Sequence, residues 1–200
     1  MSAVQKLLYS EAEYLAKENA SALRSEFFQG EIFAMTGASP QHNQIKENLV
    51  VEIGGRLKGG KCRTRSSDQR VKVKETGFIC YPDVLVVCDE PKYDESDNFA
   101  LVNPSVIIEV LSPSNERHDR IFKFRQYQQI PSLKEYVLVH QTHMVIETFT
   151  RSTDAGWRHQ IFMGKTGNFT LESVPLAIPM ADVFAGLDIP EQVEDVAAKH

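Results

Sequence analysis

Two consecutive apolar stretches, FICYPDVLVVC (78–88) and SVIIEVLS (105–112), each carry a carboxylate where a strand favours apolar residues. By β-strand alternation, Asp83 and Glu109 each share a face with the leucines two residues away. An ionised carboxylate there loses hydration worth several kcal/mol unless an arginine, protonation or a metal compensates. A single acid in such a strand is best interpreted as a residue at the strand end that is exposed to solvent or paired with an arginine. Two acids in consecutive strands favour a divalent cation, and oxygen ligands suit Mg²⁺ or Mn²⁺.

The segments around these strands predict an α/β or α+β fold, a mixed sheet flanked by helices. Ser10 and Glu13 form a capping box before a short helix, and RSEFFQGEIFAMTG (24–37) reads as two short strands around a Gln-Gly turn. Apolar residues at four-residue spacing predict a helix over 40–58. A further helix, capped near residue 114, runs to about residue 129, and several strands follow it.

Length and composition indicate one globular domain. The chain has 200 residues, of which 42% are hydrophobic and 24% charged, close to the average for folded domains. We assign residues 1–187 to a single domain and residues 188–200 to a polar C-terminal tail. The start has no apolar signal region, and no stretch is long enough for a membrane helix. Three cysteines without CxxC spacing argue against a disulfide framework or a zinc site, and favour a cytoplasmic protein.

Positive charge is concentrated in one segment of an acidic chain. Residues 56–74 contain eight lysines and arginines and a single acid, although the formal net charge of the chain is −5. Because phosphate binding responds to the local potential, the negative total does not exclude a nucleic-acid partner. A solvated basic sheet face is the alternative. The candidate contacts with nucleic acid are Lys61, Arg63, Arg65, Arg70, Lys72 and Lys74.

Several segments also resemble a known family. Pro82-Asp83 and, 26 residues further on, Glu109-Val110-Leu111 resemble the PD-(D/E)xK nuclease signature. The string EVLSPS, followed by Asp119, Lys123, Tyr127 and Pro131, is more specific than that signature. It resembles the restriction endonucleases often called the Uma-two family. The resemblance spans most of residues 11–165. It implies a restriction-endonuclease-like core, in which Asp83, Glu109 and the Val110 carbonyl hold one Mg²⁺, with Mn²⁺ as an alternative.

The chain departs from the signature at one position. Leu111 occupies the lysine position of the ExK motif, and many members of the family likewise lack that lysine. The resemblance implies that a helix residue substitutes, and Lys123 is the candidate because Asp119, Lys123 and Tyr127 share one helix face. An ordinary surface Asp–Lys pair is the alternative reading. Glu31 in the early hairpin and His42 in the first turn of the helix over 40–58 are further catalytic candidates.

The sequence therefore predicts a metal-dependent endonuclease that hydrolyses phosphodiester bonds in DNA. The rival prediction is a catalytically inactive nuclease-fold module that binds nucleic acid or mediates oligomerisation, which Leu111 and the negative total charge favour. A homodimer would supply the two sites that cutting two strands requires. We expect no membrane association and no organic cofactor.

Overall fold

The two apolar stretches form neighbouring strands of one sheet in the computed structural model, which describes residues 7–154 and 156–191. Most of the other elements follow from the patterns above. In chain order they are α1 (Glu11–Ala20), β1 (Ser25–Phe28), β2 (Glu31–Ala34), α2 (Pro40–Leu57), β3 (Arg63–Ser66), β4 (Val71–Val73), β5 (Phe78–Cys80), β6 (Val84–Val87), β7 (Val106–Leu111), a π-helix (His118–Lys123), α3 (Phe124–Tyr127), β8 (Glu135–His140), β9 (Val145–Arg151), β10 (Trp157–Met163), β11 (Asn168–Leu171), β12 (Leu176–Pro179) and α4 (Met180–Val183).

The central sheet has six strands in the order β10-β9-β8-β7-β6-β3. Strands β7 and β8 run parallel, and the other neighbouring pairs run antiparallel. A second sheet has the order β2-β1-β5-β4, and β11 pairs with β12 in a small third one. The predicted mixed sheet flanked by helices is confirmed.

Each face of the central sheet buries a different apolar set. One face packs against α2 through Ile45, Leu49 and Ile53, which are fully buried. The other face packs against α3 and the second sheet, in a cluster that includes Phe78 and Tyr127. The chain passes from the second sheet to the central one between β5 and β6, so Asp83 lies where the two sheets meet.

Local signals in the sequence account for the helix ends. The Ser10 hydroxyl accepts from the Glu13 N–H at 3.3 Å, and the Ser10 N–H donates to the Glu13 carboxylate at 2.7 Å, which completes the predicted capping box. Ser39 caps α2, whose first residue is Pro40. In the β1–β2 turn, Gln29 and Gly30 both have positive φ, as a two-residue hairpin loop requires.

The cysteines contradict the sequence-based expectation. Cys62 and Cys88 form a disulfide, while Cys80 is a buried free thiol. The antiparallel register of β3 and β6 pairs Arg63 with Val87, which brings the next residues outward, 62 and 88, together. A separation of 26 residues hides this pairing from any reading of spacing alone. The cysteine count therefore no longer argues for a cytoplasmic protein.

Residues beyond 187, the predicted end of the domain, still pack against the core. Ile189 lies against the core, and the Pro190 carbonyl accepts from the Met144 N–H at 2.8 Å. The rest of the predicted tail, residues 192–200, lies outside the described residues. Within the described part of the chain, no helix is long and apolar enough to cross a membrane.

Candidate active site

Asp83 and Glu109 lie side by side at the junction of the two sheets. The β6–β7 register pairs Val84 with Ile108, which places Asp83 opposite Glu109. The Asp83 N–H donates to Glu109 Oε2 at 3.3 Å, and the Val110 N–H donates to Asp83 Oδ2 at 2.8 Å. Asp83, Glu109 and Val110 line one cavity of about 930 Å³. The structure thus brings together the two acids that strand alternation selected.

Lys123 reaches this cavity from the π-helix. Its Nζ lies 3.2 Å from Glu109 Oε1, 3.0 Å from Asp119 Oδ1 and 3.0 Å from Glu26 Oε1. Burial disfavours the charged amine, but the three carboxylates outweigh burial and raise the pKa of Lys123 well above its usual value. Leu111, at the lysine position of the motif, is instead buried in the apolar core.

Glu26 is the functional candidate that the sequence reading missed. It lies in β1, it is buried, and its Oε2 is 3.1 Å from His118 Nε2. Burial opposes ionisation, but the Lys123 charge and the His118 hydrogen bond lower the pKa of Glu26. Glu31, the acid selected from the hairpin, begins β2 opposite Phe28 and is not among the described residues that line the cavity.

His42 lies in the first turn of α2, where its N–H donates to the Ser39 hydroxyl at 3.1 Å. Its Nε2 is 3.1 Å from Asp83 Oδ2, so the ring contacts one of the two central acids. Its Nδ1 is buried and has no hydrogen-bond partner among the residues that the structure describes. A buried polar atom without a partner is uncommon, and here it lies on the ring that contacts Asp83.

The cavity holds more negative than positive charge. Burial raises the pKa of Glu109 from 4.5 to about 8; Lys123 opposes the rise, and the nearby carboxylates of Asp119 and Asp83 add to it. Burial also raises the pKa of Asp119. The Tyr127 hydroxyl donates to Glu109 Oε1 at 2.8 Å, which orients the carboxylate. The three carboxylates that share the Lys123 amine, together with Asp83, would be stabilised by a further cation.

The donor chemistry fits a magnesium ion with few protein ligands. In residues 7–154 and 156–191, no group of three or more His, Cys, Asp or Glu side chains is arranged to hold a metal ion. Mg²⁺ commonly uses one or two carboxylates and completes its octahedron with water or substrate oxygens. Asp83 and Glu109 supply that pair, and the Lys123 amine beside Glu109 is shared with Glu26 and Asp119.

The structure separates the predicted nucleic-acid contacts of residues 56–74 into buried and surface residues, and it corrects the prediction for the buried ones. Arg70 is buried and pairs with Asp97 at 2.5 Å, while Lys72 is buried between Glu11 at 2.6 Å and Asp94 at 2.9 Å. Both cations are already neutralised, so they cannot form the exposed surface that was predicted. Sequence alternation could not show this, because the acidic partners lie far along the chain.

The other predicted nucleic-acid contacts of residues 56–74 lie at the surface. Lys61, Arg63 and Lys74 are exposed and Arg65 is half-buried. Lys61, Arg63 and Arg65 line a second, shallower cavity of about 480 Å³ along edge strand β3. Arg24 and Lys46, which the charge pattern did not select, line the larger cavity beside the carboxylates.

A mixed sheet flanked by helices, with paired acids on two adjoining strands and a helix lysine facing them, defines a restriction-endonuclease-like protein. A family profile described as "Uma2: Putative restriction endonuclease" matches residues 11–181, and the chain belongs to that family. The crystal structure of "a putative nuclease belonging to DUF820" from Anabaena variabilis has the same fold. It superposes with a TM-score of 0.69 and 17% identity, covering 86% of this chain and 95% of that chain.

Two relatives from Synechocystis sp. align over most of their length. Uncharacterized protein sll1609 is 39% identical over 158 residues, which are 77% of this chain and 87% of that protein. Uncharacterized protein slr1290 is 34% identical over 178 residues, which are 89% of this chain and 92% of that protein. Each alignment covers more than three quarters of this chain.

Proposed function

We propose that this protein is a metal-dependent endonuclease that hydrolyses phosphodiester bonds in DNA within the cavity that Asp83 and Glu109 line. The observation that carries the proposal is the placement of Asp83, which immediately precedes β6, opposite Glu109 on β7, with Lys123 Nζ 3.2 Å from Glu109 Oε1. Membership of a family described as restriction endonucleases supports the same chemistry.

The residues of the cavity would have different roles in hydrolysis. Asp83, Glu109 and the Val110 carbonyl would hold Mg²⁺ or Mn²⁺. A bound ion of this kind would acidify water and neutralise charge on the scissile phosphate. Because Lys123 keeps its proton, we assign it electrostatic stabilisation of the phosphate oxygens, and not removal of a proton from water. His42 contacts Asp83 Oδ2 and positions that carboxylate.

A cleavage assay on plasmid DNA and on a circular single-stranded DNA, each in Mg²⁺ or Mn²⁺, tests the proposal. We expect Asp83→Asn and Glu109→Gln each to reduce cleavage by about a hundredfold to a thousandfold, the loss typical when a central electrostatic group is removed. DNA binding should persist in both variants. Asp154→Asn, the same chemical change at an exposed loop residue, is the matched control and should cleave normally. Folded wild-type protein without any nuclease activity, or variants that cleave like wild type, would contradict the proposal.

One observation favours the rival function, an inactive nuclease-fold module that binds nucleic acid or mediates oligomerisation. Leu111 leaves the signature without its strand lysine. Titration with Mn²⁺ separates the two proposals, because an enzyme should bind the ion through Asp83 and Glu109. Sedimentation of the same samples tests the proposed homodimer.

A further inference from the structure

One wall of the active-site cavity is apolar and exposed. Leu23, Phe33 and Met35 are 74%, 43% and 37% exposed, and all three line the cavity that contains the carboxylates. Single exposed apolar residues are ordinary, but three around one polar cavity are a feature that phosphodiester chemistry does not explain.

The β1–β2 hairpin places Phe33 beside the catalytic groups. The register pairs Phe33 with Glu26, so the two side chains lie on the same face of the hairpin. Directly paired residues have Cβ atoms about 5 Å apart. Glu26 in turn contacts Lys123, which contacts Glu109. The Glu26 side chain therefore links the Phe33 position to the Lys123 amine, which we assign to the phosphate oxygens.

Positive charge borders the apolar wall. Arg24 precedes β1 with a side chain 42% exposed and lies 3.8 Å from the exposed carboxylate of Asp68, and Lys46 projects from α2; both cations line the cavity. The backbone of Arg24 is tied to the wall, since its carbonyl accepts from the Met35 N–H at 3.0 Å. The cavity thus combines cations for phosphates with an exposed ring for a flat apolar group.

We propose that Phe33 stacks on an unpaired base, and that the substrate of this site is single-stranded nucleic acid or a single-stranded stretch within a longer molecule. The inference rests on the proposed nuclease function and narrows its substrate. A continuous duplex presents phosphates and sugars to a protein wall and keeps its base faces stacked inside. A single strand offers both the charged backbone and free base faces, and aromatic side chains are the usual platforms for them.

The test measures the affinity of a 20-nucleotide DNA strand and of its duplex by fluorescence anisotropy, in a Glu109→Gln background that leaves the substrate uncut. We expect the single strand to bind at least about tenfold more tightly than the duplex. Phe33→Ala should weaken single-strand binding about tenfold or more, since each stacked base contributes an effect of that size. Duplex binding should not change. Phe33→Trp should keep the affinity, and Phe99→Ala, at a ring 67% exposed, is the matched control.

Each outcome decides one of the two proposals. Equal single-strand affinity of Phe33→Ala and its parent would overturn the base contact, whether or not the wild-type protein cleaves DNA. Phe33-dependent binding in a wild-type protein that never cleaves would keep the base contact and overturn the nuclease. Loss of self-association in Phe33→Ala, with oligonucleotide affinity unchanged, would show that the wall binds another protein copy, and the base contact would be wrong.

Discussion

Two buried glutamates on one face of the central sheet have opposite electrostatic environments. Glu109 on β7 pairs with Lys123, and Glu147 on β9 pairs with Arg120, a cation from the same π-helix. Burial and neighbouring acids raise the pKa of Glu109 to about 8. Burial also acts to raise that of Glu147, but four hydrogen bonds from cationic and imidazole groups outweigh it and lower the pKa.

Depth of burial and the number of hydrogen-bond donors explain the difference. Arg120 donates to both oxygens of Glu147 at 2.9 and 2.7 Å, and the Nε2 atoms of His140 and His159 lie 2.9 and 2.8 Å from them. Lys123, in contrast, is shared among three carboxylates. The Glu147 cluster holds the π-helix against the sheet. The Glu109 cluster lacks positive charge, which is typical of a site that binds a cation or acts on a substrate.

The largest expected effect comes from Glu147→Gln. Because the amide loses the ionic bonds to Arg120 and leaves the arginine poorly compensated, we expect the free energy of unfolding to fall by about 2 to 3 kcal/mol at pH 7. Urea denaturation with circular dichroism measures it. A variant as stable as wild type would show that Glu147 does not stabilise the π-helix.

Glu109→Gln should change stability in the opposite direction. Between the pKa of 4.5 and its folded value of about 8, the folded protein holds a proton that the unfolded chain has released, so wild-type stability falls as pH rises across this window. The amide removes that dependence. In EDTA at pH 8 we expect a gain on the order of 1 to 2 kcal/mol, because one pKa unit corresponds to about 1.4 kcal/mol and the lost ion pair offsets part of the shift.

Urea curves at pH 5 and pH 8 for the same pair of proteins provide the check. At pH 5 the wild-type Glu109 is protonated and resembles the amide, so the two stabilities should converge. A destabilised Glu109→Gln protein at pH 8 would show that Glu109 behaves like Glu147, and the contrast between the two clusters would be wrong.

The sequence could predict those parts of the site that depend on local pattern. Alternation placed Asp83 and Glu109 each on an apolar face of its own strand, and four-residue spacing gave α2 almost to the residue. Helix periodicity put Asp119, Lys123 and Tyr127 on the face that now contacts Glu109 or its neighbours. These features depend on neighbours within one element, and the chain specifies them without knowledge of the fold.

The parts that sequence reading did not find depend on contacts between distant elements. Glu26 and Glu31 are equally plausible acids in the hairpin, and only the packing of β1 against the π-helix selects Glu26. Arg70 and Lys72 look like a basic strand face until their acidic partners are placed beside them. The cluster around Glu147 combines residues from three strands and a helix, so no single segment carries its signature.

A smaller effect should accompany cation binding. Since Glu109 has a pKa of about 8, it is largely protonated at pH 7, and a cation held by Glu109 and Asp83 must displace that proton. We expect roughly one proton to be released for each Mn²⁺ bound. Calorimetry in two buffers with different ionisation enthalpies measures the number. Glu109→Gln should abolish the release, and release that persists in this variant would place the ion elsewhere.

The smallest expected effect extends the comparison to the cations of the basic segment. Arg70 and Lys72 resemble Arg120, since each is committed to carboxylates. The guanidinium groups of Arg63 and Arg65, in contrast, donate to backbone carbonyls of residues 60, 62 and 64, and neither pairs with a carboxylate among the residues that the structure describes. Uncompensated surface cations are those that exchange with the counterions of nucleic acid.

Replacing both Arg63 and Arg65 with alanine should therefore lower the slope of log K for DNA binding against log salt concentration. The expected change is about 1.5 for two phosphate contacts, because each contact contributes roughly 0.7 to 0.9. Lys165→Ala, at an exposed loop residue away from both cavities, is the control and should leave the slope unchanged. An unaltered slope in the double variant would remove β3 from the DNA interface. Binding would then depend on cations beside the carboxylates, where Arg24 and Lys46 lie.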